Sequence, residues 1–64
     1  MYQNNIRKIR KKSGITQQKA AAFLHITQSA FAKIENKDRP PIDIVFSLAE
    51  YFKVPVTDIY SKVS

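Results

Sequence analysis

Apolar residues recur along the chain at helical spacing, in short blocks separated by turn-forming residues. Ile6 and Ile9 lie three apart and share a face with Arg10, which predicts a first helix from about Gln3 to Lys12. Ser13-Gly14 closes it, because glycine reaches the left-handed conformation that ends helices. Thr16 is of the N-cap type, and Ala20, Ala21 and Leu24 form the inner stripe of a second helix from about Gln17 to Leu24. The small alanines let another helix approach closely. Past Leu24-His25-Ile26, Thr27 caps a third helix from about Gln28 to Asn36. Phe31 and Ile34 point inward from it, while Gln28, Ser29, Ala32 and Lys33 lie on the other side. Asn36 through Pro41 reads as a loop, since each proline pushes the residue before it out of the helical region. Pro41 suits the first turn of a fourth helix that runs to about Phe52, with Val45, Leu48, Ala49 and Phe52 on one face. Val54-Pro55 interrupts the chain again, and a short fifth helix near Val56 to Tyr60 adds Val56 and Ile59. With no alternating apolar-polar run and no hairpin turn, the expected fold is all-α: a compact five-helix bundle without β structure.

Composition narrows the options. The 64 residues are expected to form one domain, and a chain of that length buries only about 60% of its unfolded surface. The absence of cysteine rules out disulfides and thiolate chemistry and fits a reducing compartment, so the expected location is cytoplasmic. No apolar run approaches the roughly 18 residues of a membrane span, and no apolar stretch follows the N-terminal charges. Five carboxylates and one histidine supply no plausible triad. There is no metal-ligand spacing and no glycine-rich phosphate cradle, so neither an enzyme, a metal site nor a cofactor is expected. Charge adds a direction. Residues 1–39 carry nine Lys and Arg against Glu35 and Asp38, a net +7, whereas residues 40–64 carry a net −1. A basic first half points to a polyanion at one end of the fold, although a basic helix can also be merely soluble.

Two short helices joined by about three residues, the second opening on small polar side chains, make a helix-turn-helix pattern. The geometry explains the residue types. A helix that enters the major groove, about 12 Å wide, needs an apolar inner face and a polar, uncrowded outer one. The predicted third helix, residues 28–36, has both. Glutamine can pair with adenine through two hydrogen bonds, lysine can donate to guanine or to a phosphate, and alanine can touch a thymine methyl.

At this point the chain resembles the Cro and phage-repressor type of helix-turn-helix, also called xenobiotic-response-element-like regulators. The resemblance rests on Ile9-Arg10, Gly14-Ile15-Thr16-Gln17, Ala21, Ile26-Thr27-Gln28-Ser29, Ile34-Glu35-Asn36, Leu48-Ala49 and Val54, across residues 5–60. It implies that Gln17 donates to a DNA phosphate and braces the recognition helix. Gln28 is implied as an adenine reader, and Ser29 and Lys33 as positions that vary with operator sequence. Asn36 and the loop after it, including Lys37, are implied as backbone contacts, and Arg10 and Glu35 as an ion pair joining the first and third helices. The expected contact set is Gln17, Thr27, Gln28, Ser29, Ala32, Lys33, Asn36 and Lys37. The chain departs from the family pattern at His25 and Lys37, both usually glycine, and at Pro40-Pro41.

The resulting expectation is a transcriptional regulator, a repressor in first place, that binds double-stranded DNA as a homodimer on a palindromic operator. Plainer readings compete at each position. Gln17 and Gln28 can be ordinary helix starters, and Ser29 can serve only a helix-end amide. Arg7, Lys8, Lys11 and Lys12 can be a solvated face or reach phosphates. His25 reads as a turn residue. Phe23 falls off the apolar stripe of its helix, either as a satellite of the core or as a contact. Phe46, Tyr51, Tyr60 and Val63 either pack the end of the bundle or form a dimer patch. The alternative function is a protein-interaction module on the same fold, such as an antitoxin or an anti-repressor target, held through Phe23 or the C-terminal apolar residues.

Overall fold

The computed structural model describes residues 1–63. Among them lie five helices: α1 (Ile6–Lys12), α2 (Gln17–Leu24), α3 (Gln28–Glu35), α4 (Ile42–Phe52) and α5 (Val56–Ile59). The expected all-α class needs correction, because two strands are also present, β1 (Tyr2–Asn4) and β2 (Tyr60–Lys62). They pair antiparallel, with Tyr2 opposite Lys62, Gln3 opposite Ser61 and Asn4 opposite Tyr60. Strands of three residues are too short to show an alternating pattern, and partners from opposite ends of the chain leave no hairpin turn to read. For the same reason α1 begins at Ile6 and not near Gln3, and α5 stops at Ile59. The Asn4 side chain marks the junction: its Oδ1 accepts the Ile6 backbone N–H at 3.0 Å, a turn that ends the strand and admits the helix.

Three helices end in the same way. A left-handed residue follows each, directly at His25 (φ +59°) and Lys53 (+59°) and one residue later at Gly14 (+72°), past Ser13. The next residue returns its N–H to the helix, from Ile15 to the Arg10 carbonyl, from Ile26 to Ala21 and from Val54 to Ala49. Ile15, Ile26 and Val54 then pack against the core. This is the Schellman arrangement, in which an apolar residue after the turn seals the helix end. At the other ends, Thr16 Oγ1 accepts the Lys19 N–H and Thr27 Oγ1 accepts the Ala30 N–H, both at 3.1 Å, so both threonine caps form as expected.

The core draws on every helix. Ile6, Ala20, Phe31, Val45, Leu48 and Ile59 are fully buried, with Ala21, Ala49 and Phe52 nearly so. Burying a phenylalanine or leucine side chain contributes about 1.5–3 kcal/mol, so Phe31 alone fixes which face of α3 turns inward. Buried Ala20 and Ala21 on α2 leave room for α3 to pack close by. Among the described residues, no helix is long and apolar enough to cross a membrane.

Candidate nucleic-acid interface

With Phe31 buried, α3 presents its opposite side to solvent. Gln28, Ser29 and Lys33 are exposed there, and Ala32 is half-buried between them. Thr27 precedes the helix, also exposed, and Asn36 and Lys37 follow it on the same exposed surface. Seven of the eight expected contact residues thus belong to one continuous stretch, and Gln17 joins them from the start of α2. The Gln28 amide nitrogen lies 3.5 Å from Gln17 Oε1, at the outer limit of a hydrogen bond. The Gln17 amide nitrogen donates in turn to Glu35 Oε1 at 2.8 Å.

Glu35 is the centre of this arrangement. Its side chain has no exposed surface. Arg10 Nε donates to Glu35 Oε2 at 2.6 Å, an ion pair that joins α1 to α3. Arg10 Nη1 also donates to the Ile15 carbonyl at 2.9 Å, tying the pair to the turn before α2. Arg7 Nε lies 3.4 Å from Glu35 Oε1, and its Nη2 donates to Asn36 Oδ1 at 2.7 Å. Asn36 Nδ2 donates to the Ala32 carbonyl at 3.0 Å. Burial is the largest single influence on the Glu35 carboxyl and by itself would raise its pKa. The donors outweigh it together: the Arg10 hydrogen bond, the Gln17 hydrogen bond, the Arg10 charge and the Arg7 hydrogen bond hold it below the ordinary value of 4.5. The carboxylate therefore stays ionised and keeps three side chains from α1 and α2 pointed at α3.

Two residues belong to this assembly in ways the sequence did not indicate. Arg7, read as part of a solvated or phosphate-reaching face, bridges Glu35 and Asn36. Asn4 was not singled out at all, yet its Nδ2 lies within hydrogen-bonding distance of three carbonyls at the end of α3: Lys37 at 2.8 Å, Ile34 at 3.0 Å and Glu35 at 3.4 Å. No residue-type pattern marks an asparagine whose partners are backbone groups. The departures from the family pattern also resolve. His25 takes the left-handed turn itself. Asn36 closes α3 at φ −97° and Lys37 is not among the positive-φ residues, so this loop does not call for glycine. Phe23 is partly exposed and stacks on Tyr51 with ring centroids 4.1 Å apart. Tyr60 is drawn into the ribbon, where it stacks on Tyr2 at 5.2 Å, while Phe46 and Val63 remain exposed.

A pair of helices, α2 and α3, joined by a left-handed turn and braced by a buried ion pair from α1, defines a helix-turn-helix fold. A Helix-turn-helix family model of the Cro/C1 type matches residues 6–59. The chain belongs to that family of DNA-binding regulators. No curated protein matches it. The matched span stops short of the ribbon at both ends, since β1 precedes residue 6 and β2 follows residue 59.

Proposed function

We propose that the chain acts as one DNA-binding domain that recognises a specific duplex sequence and represses transcription by occupying it. The observation that carries this reading is the outer face of α3. Gln28, Ser29 and Lys33 stand exposed around a small Ala32, on a helix whose other face is anchored by buried Phe31. A helix of eight residues is about 12 Å long, comparable with the width of the major groove it would enter. In this reading Gln28 pairs with adenine, Lys33 reaches guanine or a phosphate, and Ala32 admits a thymine methyl. Thr27 and Ser29 lie where the helix start meets the groove edge. Gln17 contacts a phosphate with the amide hydrogen that Glu35 does not use. Asn36 and Lys37 contact the backbone beyond it. Two copies on a two-fold operator would place their α3 helices in successive major grooves, about 34–36 Å apart.

Selection of sites from random duplex DNA at about 150 mM salt, followed by titration against scrambled duplex, tests the reading. A preference of about a thousandfold or more is expected. Gln28→Ala should lower affinity for the selected site by about 1–3 kcal/mol and relax preference at one base position. Weak binding with no enriched motif would overturn the reading. A second reading, a protein-interaction module, draws on the partly exposed Phe23–Tyr51 stack. Under that reading Gln28→Ala changes nothing that matters, and Phe23→Ala abolishes partner binding.

A further inference from the structure

The terminal ribbon ends against the loop that follows α3, and one side chain makes the join. Asn4 Oδ1 is committed to the Ile6 N–H, so its position is set by the start of α1. Its amide nitrogen then faces the Ile34, Glu35 and Lys37 carbonyls, 30 to 33 residues away in sequence. The last carbonyls of a helix have no partners within it and must find them elsewhere. Here Ala32 is served by the Asn36 side chain, Lys33 by the Asn36 N–H, and Ile34 by both the Lys37 N–H and Asn4. The carbonyl of Lys37, already outside the helix, is held by Asn4 at the shortest of the three distances. Asn4 itself is held by ladder pairing with Tyr60, next to the Tyr2–Tyr60 stack and the Val63 N–H to Met1 carbonyl bond.

We infer that Asn4 is a positioning residue for the Asn36–Lys37 segment, setting where that segment meets the DNA backbone. The inference rests on the DNA-binding reading above. Both the ribbon and Asn4 lie outside the residues the family model matches. An amide that grips the backbone on the far side of the segment leaves the Lys37 side chain free toward solvent while limiting where its Cα can move. Loss of the grip lets the segment sample more positions, and the phosphate contact then carries a larger ordering cost. Base reading through Gln28 and Lys33, seated on the helix itself, does not depend on it.

Asn4→Ser isolates the effect, because its hydroxyl can still accept locally from the Ile6 N–H but is too short to reach the three carbonyls, and it adds no charge. Asn4→Asp is the second variant: it keeps the acceptor but sets a carboxylate against the three carbonyls, so it is read by exchange in the free protein, where the effect should exceed that of Asn4→Ser. Two readouts are needed. In the free protein, amide hydrogen exchange at Asn36 and Lys37 should quicken by about tenfold, with the helical core unchanged. On the selected duplex, affinity should fall by about tenfold with base preference retained, and the salt slope should drop by about 1. Wild-type exchange at Lys37 together with a wild-type salt slope in a folded variant would overturn the inference. Loss of cooperative folding in both variants would overturn it too, since Asn4 would then support the whole molecule. If the unaltered protein binds no specific duplex, the DNA-binding reading fails, and exchange at Lys37 still decides the role of Asn4.

Discussion

Glu35 is a carboxylate with a fully buried side chain that receives donors from Arg10, Gln17 and Arg7. Its energetics differ from those of a surface ion pair, which contributes about 0–1 kcal/mol. Glu35→Ala leaves Arg10 buried without its partner, and the expected loss is about 3–5 kcal/mol in urea unfolding. That is a large share of the roughly 5 kcal/mol available to a small domain. Replacing both partners, Arg10→Met with Glu35→Leu, should recover most of the stability, because an apolar pair avoids the desolvation of two charges. DNA affinity should not recover with it, since Gln17 has then lost its anchor and Arg7, which holds Asn36, has lost its contact with Glu35. Stability and affinity measured on the same double variant thus separate two roles that one salt bridge performs together. Acidity follows from the same site. The folded carboxyl has a pKa below its ordinary 4.5, so the folded state binds the proton less readily than the unfolded chain. The stabilisation is fully present above that ordinary value and is lost as pH falls through the lower, folded one. Urea midpoints should therefore drop below pH 4.5 in the wild type, and the Arg10→Met, Glu35→Leu variant should show a shallower fall.

At the scale of elements, the turn between α2 and α3 sets how α3 leaves the body of the protein. His25 pays a conformational penalty there, since a non-glycine residue at φ +59° crowds its own Cβ. His25→Gly should raise stability by about 0.5–1 kcal/mol, read as an upward shift of the thermal midpoint, with the outer face of α3 unchanged. A fall would mean that the imidazole makes contacts worth more than the strain. The helices flanking this turn were legible from residues alone, because Thr16 and Thr27 are caps and Ala20, Ala21, Phe31 and Ile34 keep a helical period. Gly14 announced one Schellman ending. The ending at His25 was legible only as a turn at a position where the family usually has glycine, and the one at Lys53 was hidden, because the left-handed residue is not glycine and only the apolar Val54 behind it hints at the motif. The ribbon was invisible for a different reason: pairing between residues 2–4 and 60–62 is a tertiary event with no local pattern. The site divided along the same line. Arg10, Glu35, Gln17 and Gln28 could be aligned with a known arrangement of side chains, whereas Asn4 acts on backbone carbonyls that every residue possesses.

The described residues extend over 33 × 21 × 19 Å. Exposed cations line the first half of the chain, among them Lys8, Lys11, Lys12, Lys19, Lys33, Lys37 and Arg39, while Arg10 is spent on Glu35. Binding should accordingly be strongly salt dependent. If two copies bind as proposed and together contact six to ten phosphates, affinity should fall by about 10³ to 10⁵ between 50 and 200 mM salt. Stoichiometric titration should give two copies per palindrome. Inserting about five base pairs between half-sites, half a helical turn, should abolish cooperative binding and leave single-copy binding intact. The ribbon has a further consequence at this scale. Tyr2 and Lys62 are directly opposed across the ladder, so the chain enters and leaves the body at one place. A closed path of this kind can be reconnected. A few flexible residues joining the two ends, with a new opening at the exposed Lys53 turn, would give a circular permutant with the same helices in a different order. The unpermuted chain could equally be spliced into a loop of a host protein as a cassette, since its two junctions lie side by side. The α3 helix would come with it, still presenting Gln28 and Lys33 outward.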